Sequence, residues 1–161
     1  MSQQNSGQMI QPTNALKLKL GGGRLGAIDP AAIARAEAAL KSLSSNFTQW
    51  LADEITKLDA AREQVRQQGV TPESMENLYL RAHDMKGLGG TYGYPLITRV
   101  AASLCKLTDE ETVRMKAPLF LIDAHIDAIK AAVRDNIKTD EHPMGRVLAV
   151  ELERRVEEMG V

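Results

Sequence analysis

The sequence predicts an all-α protein, an antiparallel four-helix bundle with additional N-terminal and C-terminal helices. Three observations carry that expectation. Strong helix formers (Ala, Leu, Glu, Lys and Arg) dominate, and only 4% of the residues are aromatic. Apolar residues recur at spacings of three and four in several long segments. The connections between those segments are short, as neighbouring antiparallel helices require. A chain of 161 residues suits one domain with a real core.

Residues 1–28 read as a flexible arm. A polar start is followed by Leu16-Lys17-Leu18-Lys19-Leu20, whose alternation suits a short strand but finds no partner strand. Gly21-Gly22-Gly23 then makes a flexible joint. Asp29-Pro30 starts the first helix, since Asp caps and Pro suits the first helical position. Ile33, Ala36, Leu40, Leu43 and Phe47 form its stripe, continued by Leu51, Ile55, Leu58 and Val65 up to Gly69. A break is expected at Ser44-Ser45-Asn46, three residues that cap better than they propagate. Phe47 and Trp50 are read as core.

Thr71-Pro72 opens the next helix, with Met75, Leu78, Ala82 and Met85 as its buried stripe. The glycines between Gly87 and Gly93 are expected to loosen its end. Tyr94-Pro95 starts a helix carrying Ile97, Val100, Ala101, Leu104 and Leu107 inward, followed by a polar connection at Asp109-Glu110-Glu111. From Pro118 a long helix places Ile122, Ile126, Ile129, Val133 and Ile137 on one face. The last helix, from about Gly145 to Met159, has a thin stripe (Leu148, Leu152, Val156) suited to the bundle edge or to another chain. The expected organisation is an arm over 1–28, a bundle over 29–140 and a helical extension over 141–161.

A formal net charge of −1 argues against a general nucleic-acid or anionic-membrane binder. No apolar run reaches the roughly 18 residues a membrane helix needs. The polar start lacks a basic-then-apolar leader, and a lone cysteine, Cys105, forms no internal disulfide framework or cysteine-rich zinc site. A cytoplasmic protein is expected. Cys105 reads as a packing residue. His125, flanking an apolar stripe, and His142, before Pro143, read as packing and loop histidines.

His83 differs. On a wheel of about 100° per residue with His83 at zero, Lys86 falls near −60°, Gly87 near +40°, Gly90 near −20° and Tyr79 near −40°. The apolar stripe falls between about −80° and −160° on the same wheel. His83 therefore faces outward, cleared by two glycines, with Lys86 one turn away. A neutral imidazole is a nucleophile near pH 7 and can carry a phosphoryl group, and a lysine offsets part of the added charge. Each glycine costs a helix about 1 kcal/mol relative to alanine, so several together need a compensating reason. Exposing the imidazole to another protein is one; a glycine-rich helix end beside a structural histidine is the other.

The run Ala82-His83-Asp84-Met85-Lys86-Gly87-Leu88-Gly89-Gly90-Thr91-Tyr92-Gly93 resembles the signature of the histidine-containing phosphotransfer (HPt) domain. That pattern has an acceptor histidine, lysine three residues on, glycine at four, small residues near six and seven, and glycine at ten. His83, Lys86, Gly87, Gly89, Gly90 and Gly93 match it; Leu88 and Thr91 depart from it, Thr91 at a position bearing on how the helix end is tied down. The surrounding helical pattern extends the resemblance over about 46–138.

The resemblance implies a protein that accepts a phosphoryl group on His83 from a receiver aspartate, or from a kinase, and passes it to another receiver, with Lys86 neutralising phosphate charge. It implies no ATP binding or autokinase activity, in keeping with the lack of a phosphate-binding Gly-rich loop ending in Lys-Ser/Thr. No cofactor or metal is expected in this chain, Mg²⁺ belonging to the partner receiver. Partners would be response-regulator receiver domains and a hybrid histidine kinase, without nucleic acid or membrane, and the chain itself a monomer. Tyr79, Leu80, Gly87, Gly90 and Tyr94, with Arg99 at the rim, are the expected docking residues. The alternatives are a non-catalytic scaffold that binds receiver domains, a metal bundle, for which the Glu-x-x-His motif is missing, and a kinase fragment.

Overall fold

The computed structural model describes residues 29–161. The arm expected over 1–28, with its Leu16–Leu20 alternation, lies outside them. The described residues form helices joined by turns and short connections, with no strand. The order is α1 (Pro30–Gln68), α2 (Pro72–Thr91), α3 (Pro95–Thr108), α4 (Glu111–Arg114), α5 (Leu119–Arg134) and α6 (Pro143–Glu158). None of these helices is long and apolar enough to cross a membrane.

The chain divides into two units, Met1–Leu40 and Lys41–Val161. In the first, the described part is the opening of α1. The Asp29 carboxylate accepts the Ala31 N–H at 3.0 Å, the cap expected ahead of Pro30.

In the second unit α1 runs on without the break expected at Ser44-Ser45-Asn46. The Thr48 hydroxyl donates to the Ser44 carbonyl within the helix. Ser and Asn cost a helix only about half a kcal/mol each, too little to interrupt a run otherwise rich in Ala, Leu and Lys. Its buried face is Leu51, Ile55, Leu58, Ala61, Arg62 and Val65. Gly69 ends it with φ +82°, a left-handed conformation that glycine adopts without a Cβ clash.

Thr71 caps α2 reciprocally with Ser74: each side-chain oxygen accepts the other's backbone N–H at 3.1 Å. Met75, Leu78, Ala82 and Met85 are all buried, as their spacing requires. Each large apolar side chain so buried contributes on the order of 1.5–3 kcal/mol. The glycines do not loosen the helix before Thr91. It ends at Tyr92, and Gly93, at φ +88°, turns the chain into α3.

All five apolar residues expected inside α3 are buried. The polar connection after it winds into the short α4. In α5, Ile122, Ile126 and Ile129 are buried, and Ile137 joins the core from just beyond the helix. α3 packs against α2, α5 and α6, and α5 also meets α6. Asn77 of α2 donates to Gln64 of α1 at 2.8 Å, and Lys130 of α5 reaches Asp59 of α1 at 2.7 Å.

α6 belongs to the same core, contributing Ala149, Leu152 and Val156. Its buried stripe begins at Gly145, where a Cβ would lie 2.8 Å from the Thr139 carbonyl oxygen, and Leu148 is only half-buried. This helix, in the extension expected from 141 onward, packs against α3 and α5.

Candidate functional site

The capping of Thr71 and the buried stripe together fix how α2 is rotated. With Met75, Leu78, Ala82 and Met85 turned inward, His83 is exposed, Lys86 is half-buried one turn on, and Gly87 and Gly90 are exposed. The imidazole hydrogen bonds among the described residues belong to His125 and His142. Both ring nitrogens of His83 are thus without a protein partner there. The Tyr79 ring stands edge-on to His83 with centroids 5.9 Å apart, limiting the ring's freedom on one side. Asp84 pairs with Arg81 at 3.6 Å and not with Lys86.

The glycines of this helix serve two purposes. Gly89 is buried against α3: a Cβ there would lie 2.8 Å from the Thr98 backbone nitrogen and 2.9 Å from its hydroxyl. That glycine is needed for close packing. A Cβ at Gly87 would meet nothing within 4 Å, and one at Gly90 would meet only the Thr98 hydroxyl at 3.5 Å, an ordinary contact. Among the described residues, packing gives no reason for glycine at 87 or 90. Thr91, one of the two departures from the HPt signature, directs its hydroxyl back to the Gly87 carbonyl of its own helix.

Of the expected docking residues, Tyr79 is half-buried beside His83, and Leu80, 51% exposed, stands on the outer face of α2. Tyr94 does not belong to this surface. It is 5% exposed, at the N-cap of α3, and its hydroxyl lies 3.2 Å from Asn136 Oδ1. Arg99 is committed elsewhere too. Its Nε and Nη2 donate to the two Glu153 oxygens at 2.6 and 2.8 Å, and Nη1 donates to Asp140 at 2.8 Å. These bonds tie α3 to α6 and occupy both edges of the guanidinium.

Two residues near His83 carry no local sequence signal. The Arg114 guanidinium of α4 lies over the Tyr79 ring, 5.7 Å from its centroid, adding a second positive group to this end of the molecule. Thr98 of α3 approaches the glycine-rich end of α2 from behind. Phe47 and Trp50, expected in the core, instead form a surface cluster with Tyr92, ring centroids 5.5–5.9 Å apart, and Trp50 is 44% exposed. Periodicity marks an apolar face but not whether a neighbour covers it.

Cys105 is buried, and burial pushes its thiol pKa up, away from the reactive thiolate. Among the described residues, no group of three or more His, Cys, Asp and Glu side chains is arranged to hold a metal ion. No family model, curated protein or solved structure matches the chain.

Proposed function

We propose that this protein is a histidine phosphotransfer protein of the HPt type, with His83 as phosphoacceptor and Lys86 as the charge that steadies the phosphoryl group. The observation that carries the reading is the pairing, among the described residues, of an exposed and unpartnered imidazole with glycines at 87 and 90 that packing does not require. Two such glycines cost the helix about 1 kcal/mol each, and the compensating gain lies outside the chain, in the approach of another protein's backbone. In this reading α1, α2, α3 and α5 are the antiparallel four-helix bundle. The contacts α1–α2, α2–α3, α3–α5 and α5–α1 close a ring that supports it.

In the proposed step, the Nε2 lone pair of a neutral His83 attacks the phosphorus of a receiver's aspartyl phosphate. The new P–N bond forms as the P–O bond to aspartate breaks, and the carboxylate leaves with the electron pair. The reverse step onto a second receiver regenerates free imidazole. The transition state is loose, so positioning and charge neutralisation supply most of the acceleration. The receiver brings its acidic Mg²⁺ pocket; this chain brings the nucleophile, Lys86 and a face formed by Tyr79, Leu80, Gly87 and Gly90. The expected setting is a cytoplasmic phosphorelay.

The test is incubation with phosphorylated receiver domains from the source organism. Mass spectrometry under conditions that preserve phosphohistidine should place one phosphoryl group on His83. Stable receiver binding without any transfer would favour the scaffold instead.

A further inference from the structure

The Thr98 hydroxyl is keyed into the phosphoacceptor helix. It accepts the Gly90 backbone N–H at 2.8 Å and donates to the Lys86 carbonyl at 3.0 Å. Residues 86 and 90 are the two ends of one helical rung, the pair an α-helix joins directly from i to i+4. A side chain of α3 therefore engages both backbone groups of that rung, one turn beyond His83. The approach depends on Gly89, where a Cβ would collide with both the Thr98 nitrogen and its hydroxyl. The end of the helix is tied down by the backbone as well, the Tyr94 N–H donating to the Gly89 carbonyl at 2.8 Å.

Such an arrangement answers a specific weakness. Gly87, Gly89 and Gly90 stand within four consecutive residues, where missing side chains leave the backbone entropically loose. This is also the last stretch before α2 ends, where helices fray. Lys86 opens that stretch, and its ammonium can steady a phosphoryl group on His83 only if its turn stays in register. A rung clamped from α3 holds the turn without placing any atom on the exposed side of the helix.

We propose that Thr98 is a positioning residue for phosphotransfer, holding Lys86 and Gly90 in place through hydrogen bonds to their backbone. This rests on the phosphotransfer reading of His83. Thr98 acts here through the backbone of α2, so its removal should lower the maximal rate of transfer and leave the apparent KM for the phosphorylated receiver near that of the unmodified chain.

The experiment compares the wild-type chain with T98V and T98S. T98V keeps the shape but loses the hydroxyl; T98S keeps the hydroxyl. A net hydrogen-bond effect corresponds to a loss of about three- to tenfold in maximal transfer rate for T98V, with T98S close to wild type. Amide hydrogen exchange, read by NMR, should show the Gly90 N–H exchanging faster in T98V than in T98S, with the core amides of α3 unchanged. T98A, lacking the same hydroxyl, serves for T98V if the latter does not fold. Transfer by T98V at the wild-type rate, equal losses in T98V and T98S, or unaltered exchange at Gly90 would each overturn the proposal. Failure of the wild-type chain to accept phosphate on His83 defeats the functional reading instead, and the exchange comparison then still reports separately on the clamp.

Discussion

His83 and His125 lie on long amphipathic helices, and each borders an apolar stripe, yet the fold gives them opposite surroundings. His83 is exposed on α2 with both ring nitrogens unpartnered among the described residues. His125 is fully buried in α5 with both nitrogens engaged: Nδ1 is 2.7 Å from the Leu121 carbonyl oxygen and Nε2 is 2.9 Å from the Ser103 hydroxyl. A carbonyl only accepts, so Nδ1 carries the proton and donates to Leu121, and Nε2 accepts from Ser103. Burial pushes the His125 pKa below its ordinary value. An imidazole is available for chemistry when its lone pair is free and reachable. In His125 that lone pair already serves to join α5 to α3.

The sharpest way to break this contrast is to remove each ring in turn. His83→Gln should abolish phosphorylation by phosphorylated receivers and leave the melting temperature within a degree or two, since surface changes usually cost under about 0.5 kcal/mol. His125→Ala should do the reverse. Loss of the ring leaves a cavity and an unpaired Ser103 hydroxyl, an expected cost of about 2–4 kcal/mol in denaturant unfolding, while transfer by the remaining folded protein persists. Phosphorylation surviving in the His83 variant would locate the acceptor elsewhere.

A substitution on the open face sharpens the comparison further. Gly87→Leu meets nothing within 4 Å at its Cβ, so the fold should hold while transfer falls more than about tenfold through steric exclusion of the partner. Unimpaired transfer would show that nothing docks there. Lys86→Ala should slow transfer by about five- to tenfold, equivalent to roughly 1–1.4 kcal/mol of transition-state stabilisation. Its effect should shrink as ionic strength rises.

The smallest effect is set by pH. With the folded His125 pKa below its unfolded value of about 6.5, the unfolded chain binds more protons at mildly acid pH. The contribution of neutral His125 is then fully present above about pH 6.5 and is lost as the pH falls below it. Urea titrations across pH 7.5 to 5 should show that decline for the native chain and less of it for His125→Ala.

Much of the helical pattern is legible in the order of residues because it depends on local periodicity. Met75, Leu78, Ala82 and Met85, and the five apolar positions from Ile97 to Leu107, are buried as their spacing requires. The outward placement of His83 follows from the same wheel. What periodicity misses is the identity of the neighbour. Arg99 looks like a free surface cation until Glu153, 54 residues later, takes both Nε and Nη2. Tyr94 looks like a docking aromatic until the turn around Asn136 meets its hydroxyl. Thr98 gives no signal at all, because its role is defined by a rung of a different helix. The break expected at Ser44–Asn46 is absent for another reason: three modest propensity penalties do not add up to a stop, and a long helix tolerates them.

The aromatic trio at the surface offers a practical return. The chain contains a single tryptophan, Trp50, and its ring lies 5.9 Å from that of Tyr92, the residue that closes α2. Indole emission responds to solvation and to nearby rings, so the native protein carries its own optical gauge of that helix end. Titration with a receiver, or chemical phosphorylation, can therefore be followed by fluorescence without attaching a label.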